Sequence, residues 1–440
     1  MVSRCLFIVD GYLPRSLGGT AVFAHYLGRE LKNLGVQVRV AYHRRTGDDP
    51  AVGESEWDGI PVQVLPPIQQ PMRLQKYQRG GGGAPGLGQL LQAYAPDVVH
   101  FHGFSYWHGV DHVDVCKQQR IPTLLTMHTP GQWCAQGNLL RRGKTVCDGV
   151  FDQVRCSECF LRNRGAPIGV SHVVSRAPPV SIGSNLQSKI AKTLSSPAIV
   201  RAHWESWLEM YQGVDRVHVL ANWVIDMLRA NGLPTDKVRL VRTGVPYNSP
   251  TTSTRYARPK RDPNLRLAFV GRFTEVKGVK VLIDAVRSLP ENAPVRVEFW
   301  SPNAKPDTPY RRELLEIIEK DRRFERPVQL RPDEIVPSLR QVDVCVVPSL
   351  WLETGPLVVP EAFAAGVPVL GSDLGGIQEL VRDNVDGLLF SAGASRELAF
   401  KIERLISEAS SLEYYKSNIV QPRSMGDLAV DTKNMYQEIL

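Results

Sequence analysis

Nowhere in this 440-residue chain does an apolar run approach the roughly 18 residues that a membrane-crossing helix needs, and the N-terminal run Leu6 to Val9 is stopped by Asp10. Neither a transmembrane helix nor a secretory signal is expected. That points to the cytoplasm, with peripheral contact at the inner face of an anionic membrane as the one membrane association left open. Cysteine is sparse: seven residues cannot all pair, and a reducing compartment disfavours disulfides. No tandem repeat of the roughly 20 to 50 residue kind is present, which excludes a repeat architecture. The net charge of +8 is too diffuse over this length to argue for nucleic acid, and anionic lipid or an anionic small molecule accounts for it as well. No nucleic-acid partner is expected.

The chain does have the composition of a soluble globular protein, 43% hydrophobic and 22% charged, and a length that fits two domains of about 200 residues each. Cys5 to Val9 reads as a buried strand, Gly11 to Thr20 as a Gly- and Pro-containing loop, and Val22 to Leu34 as a helix with Phe23, Leu27, Leu31 and Leu34 on one face. Gly35 ends that helix, and Val36 to Tyr42 returns as a strand. Further strands at Ile60 to Leu65, Val98 to Phe101 and Thr123 to Met127 continue a parallel sheet, with an excursion at Gly80 to Gly83. The first domain is placed at 1–245. An aperiodic stretch rich in Pro, Thr and Ser makes 246–264 the linker. Strands at Leu265 to Val270, Val295 to Phe299, Val342 to Val347 and Val367 to Gly371 then alternate with helices, giving a second doubly wound α/β domain at 265–415. A last helix lies within 416–440.

The chemistry concentrates where the strand ending at Val347 gives way to a helix from Leu357 to Ala365. There Glu353 stands in the loop and Glu361 about one turn into the helix. Carboxylates at such a place accept hydrogen bonds from neutral hydroxyls, while free backbone N–H groups hold an anion. Alone, the pair would read as a loop cap and a solvated helix face. Arg272 and Lys277, which would equally pass for surface charges, place two cations after the strand ending at Val270.

Together the phrases Pro348-Ser349, Glu353 and Glu361, Ala365-Gly366-Val367-Pro368-Val369 and Gly375-Gly376-Ile377-Gln378-Glu379 closely resemble the signature of the family 4 retaining glycosyltransferases. Phe269-Val270-Gly271-Arg272-Phe273-Thr274-Glu275-Val276-Lys277-Gly278, about a hundred residues earlier, is similar to that family's diphosphate-binding loop. The resemblance implies the GT-B fold: two Rossmann-like domains facing a central cleft, the first for the acceptor, the second for the nucleotide sugar, and a last helix crossing back to the first. It implies transfer of a sugar from a nucleotide diphosphate donor to an acceptor hydroxyl with retention. Arg272 and Lys277 would bind the diphosphate, Glu353 the sugar hydroxyls and Glu361 the ribose, and Gly375 and Gly376 would belong to the substrate site. Gly18 and Gly19 match the family's glycine-rich loop and His128 its active-site histidine, although a Gly-Gly pair alone reads as a flexible turn and a lone strand-end His as structural. His100 and His102 end a neighbouring strand facing the same cleft, where alternation points both to one side and a packing role for one of them stays open. The leaving phosphate would take the acceptor's proton, with no catalytic metal. Polysaccharide, lipid-linked oligosaccharide or glycoconjugate assembly is the expected setting.

Cys134, Cys147, Cys156 and Cys159 form C-x12-C-x8-C-x2-C in a loop at 130–164, a pattern that predicts a structural tetrathiolate zinc site without catalytic work. Two readings of another class stay open: a sugar-nucleotide binder without transfer, and a zinc-dependent nucleic-acid binder with Arg141, Arg142, Arg155, Arg162 and Arg164 on one face. The family pattern fails at Trp300-Ser301-Pro302 and at Arg331, where it usually has glycine near the nucleobase. Nothing is recognised between Ala166 and His203 beyond a possible helical insert.

Overall fold

Short β-branched runs bounded by turn residues fold as buried parallel strands, because helices cover both faces and every side chain can be apolar. The computed structural model of the chain describes residues 2–45, 49–68, 83–179, 189–246, 263–301 and 308–440. Most of the stretch expected as a linker, the Gly80 to Gly82 excursion and Pro302 lie outside the described residues. Two compact units are present, one of residues 1–242 with 428–440, the other of 243–427.

Unit 1 is built on β1 (Arg4–Ile8), β2 (Gln37–His43), β3 (Gly53–Trp57), β4 (Ile60–Leu65), β5 (Val98–Phe101) and β6 (Thr123–Met127), then β9 (Arg216–Val219) and β10 (Val238–Leu240). A small hairpin, β7 (Leu140–Arg141) and β8 (Thr145–Val146), stands apart. The sheet order is β10-β9-β6-β5-β1-β2-β4-β3, parallel throughout except for β3, which pairs antiparallel with β4. Helix α1 (Gly19–Asn33) follows β1, α2 (Leu87–Tyr94) and α3 (Val110–Gln118) flank β5, and α8 (Asn222–Ala230) follows β9. Between β8 and β9 lie α4 (Gln153–Arg162), α5 (Ile168–Arg176), α6 (Lys189–Leu194) and α7 (Ser196–Gly213), so the unrecognised stretch is mostly helical where it is described.

Unit 2 carries the sheet β12-β11-β13-β14-β15, all parallel, from β11 (Leu265–Val270), β12 (Val295–Trp300), β13 (Val344–Val347), β14 (Val369–Ser372) and β15 (Gly387–Phe390). Alternation sends Leu267, Phe269, Val344 and Val346 into one core with α9 (Val279–Ser288), α10 (Pro309–Lys320) and α14 (Ser395–Ser407). Ala268, Cys345 and Val347 enter the other, with α11 (Ile335–Leu339), α12 (Val358–Ala364) and α13 (Gly375–Leu380). Chain order reverses between β11 and β13, and that switch point is where a doubly wound sheet opens a crevice at its carboxyl edge.

Helix α15 (Ala409–Ser417) precedes α16 (Met425–Gln437), whose residues from Leu428 onward complete unit 1. There the Lys433 ammonium donates to Leu34 O at 2.9 Å, and Glu438 pairs with Arg216 and Arg239 at 3.0 Å each.

Candidate functional site

In unit 2 the loops leaving β11 and β13 are fastened together by backbone. Leu350 N–H donates to Val276 O at 2.8 Å, and Gly278, at φ +68°, packs so tightly that a Cβ there would lie 1.8 Å from Pro348 O. Only glycine fits both the dihedral and the approach. This fastening brings Lys277 Nζ to 2.7 Å from Glu353 Oε1, the oxygen that also accepts from Ser349 Oγ at 2.8 Å. The ammonium stands 5.5 Å from the centre of the Trp351 ring. Burial pulls the Glu353 carboxyl upward, but the Lys277 charge and hydrogen bond together with Ser349 outweigh it and hold the group below its usual value. Sequence reading gave Lys277 and Glu353 separate ligands; the structure pairs them with each other.

Glu361 is different. It is buried in α12, no charge or hydrogen bond among the described residues offsets its desolvation, and its carboxyl is pushed up to about 8. A buried, uncompensated carboxyl in a doubly wound sheet marks a candidate ligand site. Arg272 is exposed just past β11 and makes no ion pair among the described residues. Gly375 and Gly376 serve first to let α13 approach the Glu353 loop. Gly376 N–H donates to Glu353 O at 2.7 Å, and a Cβ on Gly376 would stand 2.7 Å from that same oxygen. The two departures from the family pattern are structural where described. Trp300 is buried in the second core, and Arg331 donates its N–H to Glu334 and its guanidinium to Asp333.

In unit 1, Gly18 is the N-cap of α1, at φ −74° and with no side-chain cap, and a Cβ there would meet nothing within 4 Å. His128 closes β6 with Nε2 3.1 Å from His102 Nδ1, the two rings stacked at 5.3 Å between centroids. Burial, then the neighbouring His218, push His128 down to about 3, so the ring is neutral at physiological pH. His102 stacks in turn on His100 at 4.1 Å.

A directed chain of hydrogen bonds runs beneath these rings. His218 Nε2 faces the Val241 carbonyl at 2.9 Å, and a carbonyl only accepts, so that nitrogen carries hydrogen. In a neutral ring Nδ1 then accepts from Thr126 Oγ1 at 3.0 Å, and Thr126 accepts from His100 Nε2 at 2.6 Å. His100 Nδ1 is left to accept from the Tyr436 hydroxyl at 2.8 Å. The sequence alone put His100 and His102 on one side of a strand, with one of them left to pack, and showed none of their partners. It took Asp10 only as the end of an apolar run, whereas Asp10 is gripped by Ser105, His108 and Arg45, which hold its carboxyl well below the usual range although burial opposes them. Nothing local in the sequence signals either set of partners.

The four cysteines line a single pocket with Trp133, Leu140, Phe160 and Trp204. Even so, no three His, Cys, Asp or Glu side chains among the described residues stand so as to hold a metal ion. The closed tetrathiolate expected from the spacing is therefore not formed by these side chains as they stand. Burial keeps the Cys156 thiol raised to about 11 and raises Cys159 as well. Three of the five arginines of the nucleic-acid alternative are tied to acids, Arg141 and Arg155 to Asp148 and Arg142 to Glu158, while Trp133 and Phe160 are buried. That surface lacks the exposed aromatics that single-strand binding uses. Among the described residues no helix is long and apolar enough to cross a membrane.

Comparison with known proteins agrees with this geometry. Residues 264–408 match the family model described as Glycosyl transferases group 1, and residues 17–151 match Glycosyltransferase Family 4. The chain is 33% identical over 216 residues to a D-inositol 3-phosphate glycosyltransferase of Corynebacterium glutamicum, spanning 45% of this chain and 51% of that one. It is 27% identical over 302 residues to the putative colanic acid biosynthesis glycosyltransferase WcaL of Escherichia coli, 65% and 72% of the two chains. The crystal structure of Anabaena Alr3699/HepE in complex with UDP-glucose superposes with a TM-score of 0.60 at 17% identity, covering 99% of this chain and 98% of that one. The motifs, the two doubly wound sheets and these matches agree: the chain belongs to the family 4 glycosyltransferases and has the GT-B fold.

Proposed function

We propose that the protein transfers a sugar from a nucleoside diphosphate donor to an acceptor hydroxyl with retention at the anomeric carbon. The observation that carries the donor assignment is Glu361, a buried carboxyl with no cation beside it among the described residues, in the unit whose switch point also holds the Lys277–Glu353 pair. Ribose hydroxyls would satisfy Glu361. The diphosphate would draw on Arg272 and Lys277, leaving Glu353 to bond hydroxyls of the transferred sugar. His128 is assigned to that sugar, and the Gly18-Gly19 turn to the phosphate through its N–H groups.

In the reaction the bond from the anomeric carbon to the diphosphate oxygen breaks, and a bond to the acceptor oxygen forms on the same face. The acceptor's proton passes to the leaving phosphate. Negative charge gathers on the diphosphate as it departs, so one lost cationic contact would cost on the order of 10² to 10³ in rate. A retaining glycosidase would instead need two carboxylates about 5 Å apart, one of them a nucleophile. The relatives named for inositol phosphate and colanic acid glycosylation support glycan or glycoconjugate assembly as the setting.

Thermal-shift and turnover screening against UDP, GDP, ADP and dTDP sugars tests this reading, with Arg272→Ala and Glu361→Ala as controls. One donor should stabilise and be consumed by the wild type alone. Binding without turnover would favour the sugar-nucleotide binder, and an inverted product would reject retention. The cysteine pocket adds no step. A structural zinc ion there is supported by the spacing and the shared pocket, and opposed by the present arrangement of the thiols. Metal analysis of protein purified without chelator decides it: one zinc per chain, lost in Cys156→Ser, sustains the zinc reading, and none ends it.

A further inference from the structure

Between Cys159 and Trp204 the chain has six Lys or Arg residues and no Asp or Glu, against a net charge of +8 for the whole chain. The same stretch exposes aliphatic side chains. Helix α5 is turned inside out: it buries Ser171, Val174 and Ser175 and presents Ile168 and Val173 to solvent at 66% and 68% exposure. The inward hydroxyls are accommodated because each donates to its own helix, Ser171 to Ile168 O at 2.9 Å and Ser175 to His172 O at 3.1 Å. Helix α6 repeats the pattern, with Ala191 inward and Ile190 and Leu194, one turn apart, outward at 72% and 42%. Both helices pack on α7, and α5 also on α4. Scattered single apolar residues on a surface need no explanation, but two helices packed on α7 that both show aliphatic side chains to solvent, one of them while hiding two hydroxyls, do.

The same stretch carries Arg164, Arg176 and Lys192, all exposed, with Arg162 at the end of α4. Acidic counterweights are few. Glu158 meets Arg176 and Arg142 at 3.8 Å, and Arg201 is taken by Glu205 at 2.8 Å. Three occupants could cover such a face. A second copy would set one basic face against another, and single-stranded nucleic acid would call for aromatic stacking platforms where the exposed side chains are Ile, Val and Leu. An anionic bilayer satisfies both halves at once, its headgroups meeting the cations and its acyl boundary taking the aliphatics.

We infer that α5 and α6 form a docking surface for an anionic lipid bilayer, on which the protein lies without crossing it. The inference is independent of the transfer reaction. It gives the unrecognised insert a role that neither domain's sheet requires.

The test is co-sedimentation of the full chain with phosphatidylcholine vesicles, plain or containing about 30 mol % phosphatidylglycerol. Binding to the anionic vesicles alone is expected, with release as the Debye length falls to about 3 Å near 1 M salt. Two variant sets are compared: Ile168→Glu with Val173→Glu and Ile190→Glu, and Arg164→Gln with Arg176→Gln and Lys192→Gln. The basic set should lose roughly a hundredfold in partitioning, since each cation near such a surface contributes a factor of about five. The aliphatic set should lose binding while keeping the wild-type unfolding midpoint; if it unfolds, the basic set alone decides. Equal binding by the wild type and both sets, or none by any, overturns the inference. So does a dimer in sedimentation velocity that both sets abolish, which would give the face to a second copy, or RNA binding lost in the same variants.

Discussion

At the carboxyl edge of the five-stranded sheet Lys277 and Glu353 meet as full charges, whereas at the same edge of the eight-stranded sheet His102 and His128 meet as rings that burial drives toward neutrality. A charged pair lets unit 2 face an anionic ligand and exchange partners with it, because each ion keeps a second use once the other is engaged. Neutral rings give unit 1 directional donors and acceptors, which suit hydroxyls and repel nothing. The two regions also lose stability at opposite ends of the pH scale. His128, lowered from 6.5 to about 3, disfavours the folded state as pH falls below 6.5, because the unfolded ring takes up a proton and the folded one does not. Glu361, raised from 4.5 to about 8, disfavours it as pH rises from 4.5 toward 8, because the unfolded carboxyl ionises freely.

The harshest way to break this contrast is Gly278→Ala, which puts a side chain where Pro348 O stands and strains a left-handed dihedral. The expected result is collapse of the Lys277–Glu353 contact and of all donor-dependent activity, seen as loss of turnover together with a lowered melting temperature. Next is Lys277→Ala, which leaves a buried carboxylate uncompensated. Turnover should fall on the order of 10² to 10³. Stability should partly return in Lys277→Ala with Glu353→Gln, which removes the orphaned charge, and a double-mutant cycle by chemical denaturation measures that return.

Tyr436→Phe probes the other region. It leaves His100 Nδ1 buried without its donor, an expected cost of about 1–3 kcal/mol, with donor binding at unit 2 unchanged by calorimetry. Glu361→Gln should raise the melting temperature at pH 8 and change it far less at pH 5, while abolishing stabilisation by donor; a flat difference across pH would reject the buried-carboxyl account. The smallest structural effect belongs to Gly18→Ala, which meets open space at an ordinary dihedral and should shift stability by less than about 0.5 kcal/mol. If the turn bonds phosphate, KM for the donor rises in that variant while the melting temperature of the free protein does not move.

Much of unit 2 could be read in advance, because its strands are unbroken apolar runs and its loops carry a dense motif. The expected strand Leu265 to Val270 coincides with β11. Less was legible in unit 1. The β3–β4 hairpin was missed although Asp58-Gly59, at φ 49° and 73°, is a two-residue turn signal, because β3 is exposed along most of its length and shows no apolar pattern. Helix α5 escaped for the converse reason: its serines face inward, so periodicity points the wrong way. What no local reading could supply are the long-range partners. Lys277 and Glu353 are 76 residues apart, and His100 and Tyr436 are 336 apart.

That last separation bears on how the protein is made. Synthesis runs from the amino terminus, and unit 2 lies wholly between the two segments of unit 1. A nascent chain leaving the ribosome can therefore close unit 2 around its own core while unit 1 still lacks a helix, with the slot for Tyr436 open and His100 without its hydroxyl donor. Until residues 428–440 emerge, unit 1 lacks the segment that completes it, so the unit begun first is the one completed last.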